Sequence, residues 1–191
     1  MKKEIDALGR MSKWYGMGII ILYCIFVAEY GNSILKQLPM HGLFDNKFFV
    51  TLSIISVGLS SLWSIFYWFI FSFLIHLMAL LFNGKSNYFH FLNISIYPFI
   101  IPILMILVAI LLLDHIDLST VDNVHNLEEI LTNDIFFNIA IRLINISFVF
   151  YYLLVMVIVH HLYRITYLYA ILSVLIPFVS IFGVAMLIKM I

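Results

Sequence analysis

The sequence predicts an all-α fold, a polytopic membrane bundle of five transmembrane helices. Three observations carry this. Of 191 residues, 64% are hydrophobic and 10% are charged, whereas a soluble domain is about 45–50% apolar and about 25% charged. The apolar residues fall in five runs long enough to approach the ~20 residues that a spanning helix needs. One stretch, 114–134, holds six acids (Asp114, Asp117, Asp122, Glu128, Glu129 and Asp134) and no Lys or Arg. A soluble fold cannot cover so much apolar surface, so lipid is the expected solvent.

The first 14 residues are expected to be a short cytoplasmic segment, with Lys2, Lys3, Arg10 and Lys13 before the first apolar run. That run covers roughly 15–35. It exceeds a signal-peptide core and ends in Val27-Ala28-Glu29-Tyr30 without an A-x-A site, so an uncleaved anchor is expected. Leu22-Tyr23 before Cys24 also lacks the small pair of a lipoprotein site. Cys24 is the single cysteine. It cannot form an intrachain disulfide and reads as a small core residue.

The loop 36–47 contains Pro39, Gly42 and two lysines. Span two, 48–82, would reach on the order of 50 Å at about 1.5 Å per residue, beyond a ~30 Å hydrocarbon core. It is one long helix or it breaks near Gly58-Leu59-Ser60-Ser61. Asn83-Gly84-Lys85-Ser86-Asn87 forms a turn with a helix-stopping glycine. Span three, about 89–113, contains Pro98 and Pro102. In the acidic loop, Ser119 or Thr120 would cap a short helix with Val121, Val124, Leu127 and Leu131 at helical spacing. Spans four and five are expected at about 135–160 and 166–190, making 15–191 one membrane domain.

Five spans put the termini on opposite sides. With the N-terminus inside, the inner segments hold six basic residues (Lys2, Lys3, Arg10, Lys13, Lys85, Arg164) and the outer segments three (Lys36, Lys47, Lys189). The positive-inside bias therefore predicts N-in and C-out. The acidic loop falls outside on this topology. Trp14, Trp63 and Trp68 suit interfacial belts or helix packing equally.

The zero net charge argues against a nucleic-acid partner. The chemical candidates are few. His76, His90, His160 and His161 lie towards the inner side and would suit a transition metal if they converged. No H-E-x-x-H or comparable spacing is present, and interfacial histidines bonded to headgroups or backbone are the commoner case. Arg142 stands about two turns into span four. A charge at that depth needs a partner or a route to water, so a structural ion pair with Glu29, Asp114 or Asp117 is expected. Pro98, Pro102 and Pro177 kink their helices. The glycosylation patterns Asn93-Ile94-Ser95 and Asn145-Ile146-Ser147 lie in or beside membrane segments and are discounted. No G-x-S-x-G elbow, phosphate-cradling loop or convincing internal repeat is present. No catalytic residue and no cofactor are expected.

The residues 72–102 and 161–172 resemble the Yip-domain family, Ypt-interacting-protein-like proteins with five spans. A long helix ends in Phe82-Asn83-Gly84-Lys85-Ser86, like the family's G-G-K-G-S-F turn, with Asn83 at the first glycine. Tyr88-Phe89 follows. Tyr97, Pro98 and Pro102 then resemble its G-Y-x-x-L-P element, with Ile96 at the glycine and the proline spacing off by one. His161-Leu162-Tyr163-Arg164 and Tyr169-Ala170-Ile171-Leu172 resemble the link into the last span. The resemblance covers roughly 48–190. It implies five spans, a cytoplasmic N-terminus and partners among membrane proteins. The short N-terminal region departs from eukaryotic relatives that bind Rab-type GTPases. It points to a bacterial member in the cytoplasmic membrane, and the resemblance then implies an accessory subunit of an ABC-type exporter.

Three functions compete. The first is a non-enzymatic protein that binds other membrane proteins or a second copy of itself, through small-residue positions such as Gly58, Ser60, Ser61, Ser72 and Ala79. The second is a small transporter or channel built on Arg142, a carboxylate and the prolines. The third is a membrane-embedded enzyme, for which only the four inner histidines qualify. The first is the expected function.

Overall fold

A computed structural model describes residues 13–37, 47–118 and 124–190. Lys2, Lys3 and Arg10, the loop with Pro39 and Gly42, the acid Asp122, and the candidate residues Ser119, Thr120 and Val121 lie outside these. The described chain is helical: α1 (Lys13–Gln37), α2 (Lys47–Leu81), α3 (Tyr88–Ser95), a 3-10 turn (Tyr97–Phe99), α4 (Ile100–Leu113), α5 (Val124–Asn133), α6 (Ile135–Tyr163) and α7 (Tyr167–Met190). Four segments are long and apolar enough to cross a membrane: Trp14–Gln37, Val50–Leu81, Tyr88–Leu113 and Ile135–Tyr163. This is an integral membrane protein by length and composition. Side chains of α7 are described without a break only as far as Ile181.

Span two is a single unbroken helix of 35 residues, and Gly58 lies within it. The length allows about 50 Å of helix, so it tilts or projects beyond the hydrocarbon. Its end is decided by Asn83, in the left-handed conformation at φ 62. The Gly84 N–H then reaches the Ala79 carbonyl and the Asn83 N–H the Leu80 carbonyl, both at 2.9 Å. This is the Schellman closure of a helix. The asparagine, not the glycine, takes the left-handed position. Gly84 is needed for a different reason: a Cβ there would sit 2.6 Å from the Ala79 carbonyl oxygen and 2.9 Å from Tyr163 Cβ.

Span three is not one α-helix. It comprises α3, the 3-10 turn and α4. Asn87 caps α3 by accepting from Phe89 N–H at 2.8 Å. Pro98 sits in the 3-10 turn, where the Phe99 N–H bonds the Ile96 carbonyl at 3.0 Å. Pro102 falls in the first turn of α4, where a missing N–H leaves no helix bond unmade. The two prolines therefore divide the span rather than kink a continuous helix.

Helix α6 starts where expected because Asp134 caps it, accepting from Phe137 N–H at 2.8 Å. It runs to Tyr163 and stops at Arg164, again left-handed at φ 57. Thr166 Oγ1 then accepts from Tyr169 N–H at 3.4 Å and starts α7.

The chain divides into two compact units: Met1–Ile20 with Phe66–Phe99 and Phe150–Ile191, and Ile21–Ile65 with Ile100–Val149. The core of the first is aromatic. Phe71, Phe91, Phe99, Tyr151 and Tyr163 are buried with Ile75, Ala79, Val155 and Val159. Trp68 is buried edge-on to Phe99, while Trp14 is exposed. In the second unit, Leu113, Ile116 and Leu118 form a buried cluster. Tyr30, Ile34, Leu127, Ile130, Leu131 and Phe137 pack against it. The acidic loop thus does contain a helix, α5, which lays an apolar face on that cluster and leaves Glu128 and Glu129 exposed. Also in this unit, Gln37 Nε2 donates to the Leu113 carbonyl at 2.8 Å, satisfying the end of α4, and the half-buried Cys24 thiol points to the Ser61 carbonyl at 3.6 Å.

Candidate functional site

The polar groups of the first unit gather around two connections, Phe82–Asn87 and Arg164–Thr166. The Lys85 N–H donates to the Tyr163 carbonyl at 3.1 Å and holds the two together. Behind them, His76 Nδ1 lies 2.5 Å from the Tyr163 hydroxyl. His76 is buried at 9% exposure and Tyr163 at 1%. Phe91 meets the Tyr163 ring edge-on at 5.7 Å, and the Tyr88 ring is tilted over His76 at 5.2 Å. Tyr88 is in turn gripped by the edges of Phe69 and Phe73, and its hydroxyl donates to the Phe69 carbonyl at 3.3 Å. A buried imidazole and a buried phenol satisfy each other here, as groups taken out of water must.

His160 is used differently. Its ring stacks on Tyr167 at 3.7 Å, and its Nδ1 is 2.6 Å from the Ile165 carbonyl oxygen. A carbonyl only accepts, so Nδ1 carries the proton and the imidazole braces the link between α6 and α7. The His161 ring lies 4.7 Å from that of His160. His90 is exposed on α3. The four histidines therefore share a unit without forming one ligand sphere. Among the described residues, no three His, Cys, Asp or Glu side chains are grouped to hold a metal ion.

The second unit holds the expected ion-pair residues, and in it Glu29 pairs within its own helix. Glu29 Oε1 accepts from Lys36 Nζ at 2.6 Å, two turns further along α1. Arg142 is exposed on α6, as is Asp114 at the end of α4. Among the described residues no ion pair joins Arg142 to Glu29 or Asp114. Spacing within α1 explains this: residues seven apart share a helix face. Lys36 is therefore held beside Glu29 by the helix itself, while Arg142 would have to be brought by tertiary packing. The Glu29–Lys36 pair is itself exposed, so its contribution is small, about 0–1 kcal/mol.

Tyr163 and Tyr88, the side chains that organise the first unit, were not singled out as functional by sequence reasoning. Both stand beside the turns that carry the resemblance described above, at Tyr88-Phe89 and Tyr163-Arg164, and a tyrosine flanking a helix-ending turn was the available signal.

The small residues of α2 divide in the same way. Ser61, Ser72 and Ala79 are buried and consumed by packing within the chain. Ser56 and Ser60 remain exposed, and a Cβ added to Gly58 would meet nothing within 4 Å. The Ser60 hydroxyl donates to the Ser56 carbonyl at 2.8 Å and the Ser64 hydroxyl to the Ser60 carbonyl at 3.0 Å.

No family model matches the chain, and neither a curated protein nor a solved structure matches it.

Proposed function

We propose that this chain is a non-enzymatic membrane protein that acts by binding other membrane proteins. The observation that carries the reading is the outer face of α2. Ser56, Ser60 and Ser64 follow one another at four-residue steps, so they share a helix face. Two of these hydroxyls are already turned back to their own helix. The exposed part of the face, Ser56 and Ser60, lets a second helix approach closely, which is how spanning helices associate, while the half-buried Ser64 is bonded to Tyr23 of α1. The imidazoles that an enzyme would use support the same reading, because His76 and His160 are engaged in holding connections and helices.

The resemblance to Yip-domain proteins makes the membrane subunit of an ABC-type exporter the first partner to seek. The test is capture of the tagged full chain from native membranes, with Ser60→Phe as the comparison. A stoichiometric membrane partner, lost in Ser60→Phe while the protein stays folded, is the expected result. Capture that yields no stoichiometric partner, or one indifferent to Ser60→Phe, overturns the reading.

The topology that goes with it has five spans, the N-terminus inside and the C-terminus outside a bacterial cytoplasmic membrane. Helix α7, Tyr167–Met190, has 24 residues and supports a fifth span by length. Single cysteines at Ser12→Cys and Asn126→Cys, in a Cys24→Ser background, are expected to label from opposite faces. Labelling of both from one face would sink the model.

A further inference from the structure

The two connections of the first unit are followed by a tyrosine and a Pro-Phe pair at the same spacing. Lys85-Ser86-Asn87-Tyr88 is followed by Pro98-Phe99, and Arg164-Ile165-Thr166-Tyr167 by Pro177-Phe178, at identical spacing. Corresponding residues do corresponding work. Asn87 and Thr166 each accept a backbone N–H at the start of a helix. Tyr88 and Tyr167 each lie on a histidine, His76 and His160. Phe91 and Ala170 are fully buried, as are Ile94 and Ser173. Phe99 packs on Tyr151 at 4.6 Å and Phe178 on the adjacent Tyr152 at 5.6 Å. Only the tyrosine, the proline and the phenylalanine are identical between the two stretches, and Pro98 sits in a 3-10 turn whereas Pro177 lies inside α7.

The contact between the connections places two basic residues on neighbouring turns. Lys85 and Arg164 each stand three residues before the tyrosine that opens the next helix, and the bond from the Lys85 N–H to the Tyr163 carbonyl brings the two connections into contact. Both side chains are exposed. The described residues of this unit, 13–20, 66–99 and 150–190, contain no Asp or Glu. Helices α3 and α7 also begin beside them, and the unpaired N–H groups of a helix start add positive potential. The connections follow the candidate spans that end at Leu81 and Tyr163 and precede the apolar helices that begin at Tyr88 and Tyr167, so on the proposed five-span topology both lie on the inner side of the membrane. Phe89, Tyr167 and Leu168 expose apolar surface beside them.

We propose that the paired connections form a binding site for the phosphate of an anionic phospholipid headgroup, held between Lys85 and Arg164. Phosphate chemistry suits both cations, and the guanidinium can donate two hydrogen bonds to it. The lipid, rather than free phosphate, is the source because the cations stand where spans emerge and the neighbouring exposed side chains suit acyl chains. Each basic residue at an anionic bilayer surface contributes roughly 5-fold in affinity.

The test uses the purified full chain in phosphatidylcholine nanodiscs containing a small fraction of phosphatidylglycerol. Lipid retained by the protein is counted by native mass spectrometry. Wild type is expected to enrich phosphatidylglycerol. The double variant Lys85→Gln/Arg164→Asn should lose about 30-fold in that preference. Asparagine is chosen because it tolerates the left-handed backbone at position 164. Lys85→Gln alone keeps the backbone donor to Tyr163 and should lose roughly 5-fold, which guards against misfolding of the double variant. Lys85→Arg should keep the preference. Unchanged enrichment in Lys85→Gln and in the double variant overturns the site. Inorganic phosphate that displaces the lipid at millimolar concentration overturns the lipid as its source.

Discussion

Tyr163→Ala is expected to destabilise the protein by about 3–5 kcal/mol, the cost of emptying a buried aromatic position. The tyrosine is 1% exposed. Removing it strips the edge contact from Phe91 and leaves the buried His76 Nδ1 without its phenol. Tyr163→Phe separates the two losses. It keeps the ring and orphans only the imidazole, which costs roughly 1–3 kcal/mol. Domains are stable by about 5–15 kcal/mol, so the alanine variant loses a large share. Thermal unfolding in detergent should show its midpoint falling by on the order of 10 °C. A midpoint within a degree of wild type would show that the two connections are not held by this cluster.

Gly84→Ala is the second large effect, and it works by overcrowding. The new methyl would lie 2.6 Å from the Ala79 carbonyl oxygen and 2.9 Å from Tyr163 Cβ. Both neighbours are backbone or one bond from it, so neither can swing aside, and a cost of about 1–3 kcal/mol is expected. The same substitution at Gly58, where the methyl meets nothing within 4 Å, should instead stabilise α2 by roughly 0.5–1 kcal/mol. The two glycines are thus expected to differ in sign in one unfolding assay. Combining Gly84→Ala with Tyr163→Ala discriminates further. The clash with the Ala79 oxygen survives the second change, so much of the cost of Gly84→Ala should persist in the double variant. Equal stability of Gly84→Ala and Gly58→Ala would rule out close approach as the reason for glycine at position 84.

What the sequence determined by itself was the solvent and the end of α2. Composition alone requires lipid around the chain. The stop at Asn83-Gly84 is written in local residues, although the asparagine rather than the expected glycine takes the left-handed position. The stop at Arg164 had no such signal. Helix α5 was legible too, since Leu127 and Leu131 recur at helical spacing among Glu128, Glu129 and Asn133 and one face alone is fit to be buried. The tertiary structure decided the rest. Helices such as α2 and α6 are mostly apolar all round, with serines, asparagines and Arg142 scattered on more than one face, so their sequences carry little signal of which face turns inwards. Which serines of α2 are buried, whether Glu29 meets Lys36 or Arg142, and that His76 meets Tyr163 all depend on that rotation. The break of span three was half legible. Pro98 and Pro102 announced a disturbance, but a kink and a 3-10 interruption leave the same prolines in the sequence. Packing of Phe99 on Tyr151 and Trp68 accompanies the interruption in the folded chain. The likeness of the two connections was hidden for a related reason. A buried position constrains only size and polarity, so Phe91 and Ala170 do one job with unlike side chains, and the likeness emerges only when burial and hydrogen bonds are compared.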